Sequence, residues 1–217
     1  MRGFTLVELL IAMLLTLVIT AALCAVVIPA RVAFEKQPEA ADMHQRLRVA
    51  VDALTRDLQM AGAGLAPEAS PPVMPYRVGE RGSDPLTGVF YRPGVVSVAY
   101  IPSSAGAIVS RTYHLRVDPA TRTPQLMRYD GLHTDLPVVD RLVALELTYF
   151  DEGDTPLDPA VLQDGPWRPS DPDVGEFDAD LLRIRRVRVV LRVTGTRDVP
   201  DHELQFDVAL RNVERGG

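Results

Sequence analysis

Met1-Arg2-Gly3-Phe4-Thr5-Leu6-Val7-Glu8-Leu9-Leu10-Ile11-Ala12-Met13 opens the chain, and after Glu8 no charged residue appears until Arg31. The uncharged run from Leu9 to Ala30 is 22 residues long, and a helix needs about 20 apolar residues to cross the hydrocarbon core of a bilayer. The run reads as a membrane-spanning helix with one acid near its start. A charge at mid-membrane costs about 2.5–3.5 kcal/mol, less toward the interface, so Glu8 calls for a partner. A cleaved secretory signal has a shorter apolar stretch ending in small residues, and this run continues past any such site.

The helical pattern outlasts the apolar run. Pro29 is expected to mark a kink, because proline removes a backbone hydrogen bond. Beyond it, Leu47, Val51, Leu54, Leu58 and Ala61 recur at helical spacing, with Arg46, Arg48, Asp52, Arg56 and Asp57 largely on other faces. Gly62, Gly64 and Pro67 end the pattern. The expectation is one long helix from about Phe4 to Met60, or two collinear halves meeting near Pro29 to Pro38. Residues 65–94 are rich in proline and glycine and read as an irregular connection.

Strand patterns follow at Val95–Ile101, Thr112–Val117 and Gln125–Tyr129, with a hairpin turn over Pro119–Pro124. Three longer runs alternate: Val143, Leu145, Leu147 and Tyr149; Val187, Val189, Leu191 and Val193; Leu204, Phe206, Val208 and Leu210. Each gives a sheet with one dry and one wet face. A long helix followed only by strands predicts an α+β fold, with an amphipathic second half-helix packed on an antiparallel head. The expected organisation is 1–3 ahead of the helix, 4–31 in the membrane, 32–62 as amphipathic helix, and 63–217 as a β-rich head with an acidic loop over 151–180.

Composition narrows the function. The formal net charge is −6, unlike the basic footprint of a nucleic-acid-binding domain, and no nucleic acid is expected as a partner. The single cysteine, Cys24, excludes an intramolecular disulfide and a cysteine metal cluster. Leu23 before it is wrong for a lipidated cysteine.

Gly3-Phe4-Thr5-Leu6-Val7-Glu8-Leu9-Leu10-Ile11-Ala12 resembles the leader junction of type IV pilins and type II secretion pseudopilins. The resemblance implies cleavage by a prepilin peptidase between Gly3 and Phe4, with N-methylation of Phe4. Glu8 becomes the fifth residue of the mature chain, which the family pairs with the N-terminal amine of a neighbouring subunit. Two weaker likenesses follow. Leu54-Thr55-Arg56-Asp57-Leu58-Gln59-Met60-Ala61-Gly62 is similar to the helix end of PilW-type minor pilins and J-type minor pseudopilins. Val208-Ala209-Leu210-Arg211-Asn212-Val213 is similar to the last strand of the PilW group. They imply a minor pilin that primes a type IV pilus or sits at its tip, a J-type pseudopilin being the runner-up. The implied partners are the prepilin peptidase, other minor pilins and the major pilin. The implied location is the inner membrane with a periplasmic head.

No residue set points to an enzyme. His44, His114, His133 and His202 are scattered in sequence, and neither a G-x-S-x-G elbow nor a phosphate-binding G-x-x-x-x-G-K-[ST] occurs. From Asp151 to Asp180 there are ten acids and one base, Arg168. Carboxylates on a loop suit calcium, and Asp171, Asp173, Glu176 and Asp178 are the weak candidate ligands. The sequence lacks the twelve-residue calcium loop, so a solvated linker is expected and no cofactor is assigned. Trp167 in that linker is either a lid over the core or a partner contact. Arg183, Arg185, Arg186, Arg188 and Arg192 read as a wet strand face neighbouring the acids. A non-polymerising anchored module that binds calcium or another ligand is the alternative from a different class.

Overall fold

The computed structural model describes residues 5–66, 70–76, 93–102, 106–131, 134–169, 176–195 and 200–213, with backbone but not side chains over 32–36. One helix, α1, runs from Leu6 to Met60 through both Pro29 and Pro38. Of the two expected forms, the single long helix is the one observed. Its first part, Leu6–Arg31, is apolar enough to cross a membrane and none of it is buried by the rest of the chain. Its second part buries Met43, Leu47, Ala50, Leu54, Leu58 and Ala61.

Ten strands follow: β1 (Val73–Met74), β2 (Val95–Tyr100), β3 (Val109–Val117), β4 (Pro124–Tyr129), β5 (Asp135–Asp140), β6 (Leu142–Phe150), β7 (Trp167–Arg168), β8 (Phe177–Asp178), β9 (Arg186–Val193) and β10 (His202–Ala209). β1 to β5 form a five-stranded meander in chain order, β10, β9 and β6 a three-stranded sheet, and β7 with β8 a short ribbon. Every pairing is antiparallel. The fold is α+β. α1 contacts β2 and β5 of one sheet and β9 and β10 of the other, so its apolar stripe closes both sheets around one core. Charged contacts flank that stripe. Arg46 bonds Asp42 at 2.8 Å and also meets Asp140, while Arg141 lies 3.6 Å from Glu39.

The turn leaving α1 explains its glycines. Gly62 has φ +79° and donates its N–H to the Ala99 carbonyl at 2.9 Å. A Cβ there would lie 2.7 Å from the Asn212 carbonyl oxygen. The Asn212 amide in turn donates to the Gln59 carbonyl at 2.9 Å, satisfying one of the last acceptors of the helix. Gly62→Ala is expected to destabilise the head by at least about 1–2 kcal/mol, from the left-handed backbone alone, with the close approach adding to it. Denaturant unfolding of the detergent-solubilised chain checks this through a lower midpoint at unchanged slope; an unchanged midpoint would contradict it.

The structure corrects several strand readings. β5 adds a strand over Asp135–Asp140 that the sequence reading did not include, with Pro137 inside it. It is an edge strand, where a missing N–H is tolerated, and its register slips beside Leu126 and Met127. Val143 does not face the core: it is the extra residue in a bulge between Leu142 and Ala144, which turns it outward. Leu204 is 36 % exposed, because β10 is the outer strand of its sheet. Asp57, placed by spacing on a polar face, is only 4 % exposed. β1 adds a short strand inside the expected irregular connection, most of whose remainder, 77–92, lies outside the described residues.

Candidate functional site

The N-terminal end of α1 carries the residues that sequence singles out. Thr5 is the N-cap, in extended conformation. Its hydroxyl accepts the Glu8 N–H at 3.3 Å, and the Glu8 carboxylate accepts the Thr5 N–H at 3.0 Å and the Thr5 hydroxyl at 2.9 Å. This is a capping box, satisfying two of the otherwise unpaired donors of the first turn. It also places a carboxylate at the positive end of the helix dipole. Leu6, Leu9 and Leu10 around it are exposed, so among the described residues Glu8 bonds only locally, to Thr5. Gly3 and Phe4 lie outside the described residues. Further along, Thr16 and Thr20 donate to the Ala12 and Thr16 carbonyls, each at 2.8 Å. Their hydroxyls are thus satisfied inside the helix, which lets them sit in lipid.

Residues 1–23 match the prokaryotic N-terminal methylation motif. The match supports a type IV pilin or pseudopilin relationship and processing by a prepilin peptidase. With the single apolar helix it fits a membrane-anchored, pilin-like protein. No curated protein matches the chain.

The acidic segment is not the solvated linker its composition suggests. A bridge between Phe150 and Pro156 closes its first turn, in which one Asp151 oxygen accepts the Gly153 and Thr155 N–H groups, both at 2.9 Å. Leu157, Leu162, Phe177 and Leu181 are buried and plug the segment onto the core. Sequence reading missed this because the four apolar residues are spread between prolines and acids with no period. Of the calcium candidates, Asp171 and Asp173 lie outside the described residues and Glu176 is exposed. Asp178 is buried, and its two oxygens accept the Gly165 N–H at 2.7 Å and the Asp180 N–H at 2.8 Å. Among the described residues, no three His, Cys, Asp or Glu side chains are placed to hold a metal ion. Trp167 is 43 % exposed and packs its indole edge against the Gly165 turn.

The arginine strand pairs with these acids. Arg186 bonds Asp154 at 2.9 Å and also meets Asp207, and Arg188 bonds Asp207 at 2.9 and 3.2 Å. The Arg186 guanidinium stacks over the Phe150 ring at 3.9 Å and that of Arg188 lies at 5.0 Å. Arg183 reaches Asp180 at 2.9 Å and Asp151 at 3.8 Å. The hydrogen bond from Arg188, with Arg186 adding to it, holds the Asp207 carboxyl below the usual carboxylate range. A depressed folded pKa contributes stability that is present above the unfolded value near 3.8 and lost as pH falls through the folded value. Acid titration of the head below about pH 4 should therefore show a component that Asp207→Asn removes. Identical acid profiles for the two chains would contradict it.

Histidines scattered in sequence also meet. His44 on α1 and His202 on β10 have ring centroids 4.8 Å apart, edge to face. No local signal links residues 158 positions apart, and only the packing of α1 beside β10 brings them together.

Proposed function

We propose that this chain is a minor pilin, processed after Gly3, which joins other minor subunits to prime a type IV pilus or form its tip. The observation that carries the reading is the methylation motif over 1–23, continuous with a wholly exposed apolar helix whose first turn holds a carboxylate, Glu8. Polymerising through that helix accounts for an apolar surface that the head leaves uncovered. The helix holds the chain in the inner membrane, and the α+β head stands in the periplasm and supplies lateral contacts to sister subunits and the major pilin. The likeness of Leu54–Gly62 and Val208–Val213 to PilW-type minor pilins favours a pilus over a J-type secretion pseudopilin. The chain acts as a subunit; cleavage and N-methylation at Phe4 are done to it by the peptidase.

The test is the intact mass and N-terminal sequence of the membrane-extracted protein, with and without the peptidase. A mature chain beginning at methylated Phe4 only when the peptidase is present is the expected result. A chain beginning at Met1 in both would overturn the reading and favour a static anchored module. Loss of piliation on deletion, with secretion intact, separates the pilus from the secretion alternative.

A further inference from the structure

The face that α1 lays on the head follows a four-three spacing: Met43, Leu47, Ala50, Leu54, Asp57, Ala61. Five of these six are apolar and buried, and the fifth in order, Asp57, is a carboxylate only 4 % exposed. Apolar contacts are non-directional. A seam of Met, Leu and Ala alone can therefore pack at several azimuths and tilts with similar free energy. The Gly62 turn and the Asn212 cap fix where the last turn of the helix lies. They leave the orientation of the preceding turns to the seam and to the exposed pairs at its margin, Arg46 with Asp140 and Glu39 with Arg141.

Asp57 is where the seam becomes directional. The Tyr113 hydroxyl, wholly buried on β3, lies 2.6 Å from the Asp57 carboxylate and 3.2 Å from the Ala53 carbonyl, so it addresses two points on one helical turn. Arg111 lies on the same strand, β3. Burial works against its charge, yet Asp57 together with Tyr100 and Tyr113 outweighs burial and raises its pKa. Burial and then Asp57 push the Tyr113 phenol upward, so it stays a donor at every relevant pH. Tyr113 lies in the five-stranded sheet.

We infer that Asp57 is a positioning residue: with Tyr113 it sets the angle at which the five-stranded sheet sits on the long helix. A buried polar residue in an apolar helical seam fixes register and geometry in coiled coils at some cost in stability. Replacing both partners of a buried hydrogen bond by apolar groups of the same shape can be nearly neutral or stabilising. The pair is thus separable from stability. The inference does not depend on the pilin reading, since it concerns only how the head is held on its helix.

The test uses the full chain in detergent micelles, with Cys24→Ser removing the native thiol. Spin labels go on exposed positions of the helix and of β3 through Ala41→Cys and Val117→Cys, and the label-to-label distance distribution is measured by pulsed electron resonance. The parent should give one narrow peak. Asp57→Leu/Tyr113→Phe should broaden it at least twofold, or split it, with a thermal midpoint no lower than the parent's. Asp57→Asn, which keeps an acceptor for Tyr113, should broaden it less. An unchanged width in both variants overturns the inference. A double variant that does not fold, with unchanged width in Asp57→Asn, does so too, because the network would then be a stabiliser only.

Discussion

Glu8→Ala should leave the head folded and remove the chain from assemblies, with incorporation falling by about two orders of magnitude or more. The head is unaffected because, among the described residues, Glu8 bonds only Thr5, in a stretch that the rest of the chain does not bury. Losing the capping box costs the first turn about 1 kcal/mol, which a helix of 55 residues tolerates. Assembly is different. In the proposed filament the helices would pack against one another away from water, and the N-terminal amine that the proposed cleavage creates at Phe4 would be a cation in that environment. Removing one member of a buried charge pair costs about 3–5 kcal/mol, since the other is left uncompensated. Glu8→Gln separates the two roles: its amide can still accept the Thr5 N–H, so the cap is kept while the charge is lost. If pairing is what matters, glutamine should fail in assembly nearly as badly as alanine. The measurement is the amount of each variant in sheared filaments and in complexes captured through a sister subunit, at equal membrane abundance. Alanine incorporated as well as wild type would sink the idea.

How much of this was legible in the sequence differs by region, for physical reasons. The α1 pattern and the alternation in β9 were readable because burial there follows the period of the element: Val187, Val189, Leu191 and Val193 all face the core. β6 was readable as a strand and, for Leu145, Leu147 and Tyr149, in its facing; only Val143 is turned outward, by a bulge that the alternation does not show. β5 was not read from the sequence: Asp135–Asp140 is short and contains Pro137, which a strand tolerates at an edge, and edge status is a tertiary fact. The acidic segment was misread because composition reports average solvation, whereas four well-placed apolar side chains suffice to fix a loop. At the candidate site, the Thr5 and Glu8 spacing already contains the capping box, but the buried state of Asp57 was not foreseen. Its signal was present in the four-three spacing from Met43 to Ala61, of which Asp57 is the single polar member.

Leu54→Ala should lower the stability of the head by about 2–5 kcal/mol, while Leu14→Ala should leave it unchanged. Leu54 is fully buried in the cluster where α1 meets both sheets. Truncation removes three carbons from that cluster and leaves a cavity that strands tied into two hydrogen-bonded sheets cannot fill, and the cost grows with the volume left. Domains of this size have about 5–15 kcal/mol in total, so the upper end of the range would leave the head partly unfolded at physiological temperature. Leu14 has the same side chain on the same helix but is 64 % exposed, so its truncation creates no cavity in the chain. Any defect it causes must appear where that surface is covered, in the membrane or in an assembly. The pair is checked by denaturant unfolding of the detergent-solubilised chain, read by the fluorescence of Trp167, the sole tryptophan. A fall in midpoint for Leu14→Ala comparable to that for Leu54→Ala would show that the membrane half is coupled to the stability of the head, contrary to its complete lack of burial. The expected divergence makes one continuous helix two functional objects. After Arg31 it belongs to a folding unit and answers to packing; before Arg31 it answers only to what surrounds the chain.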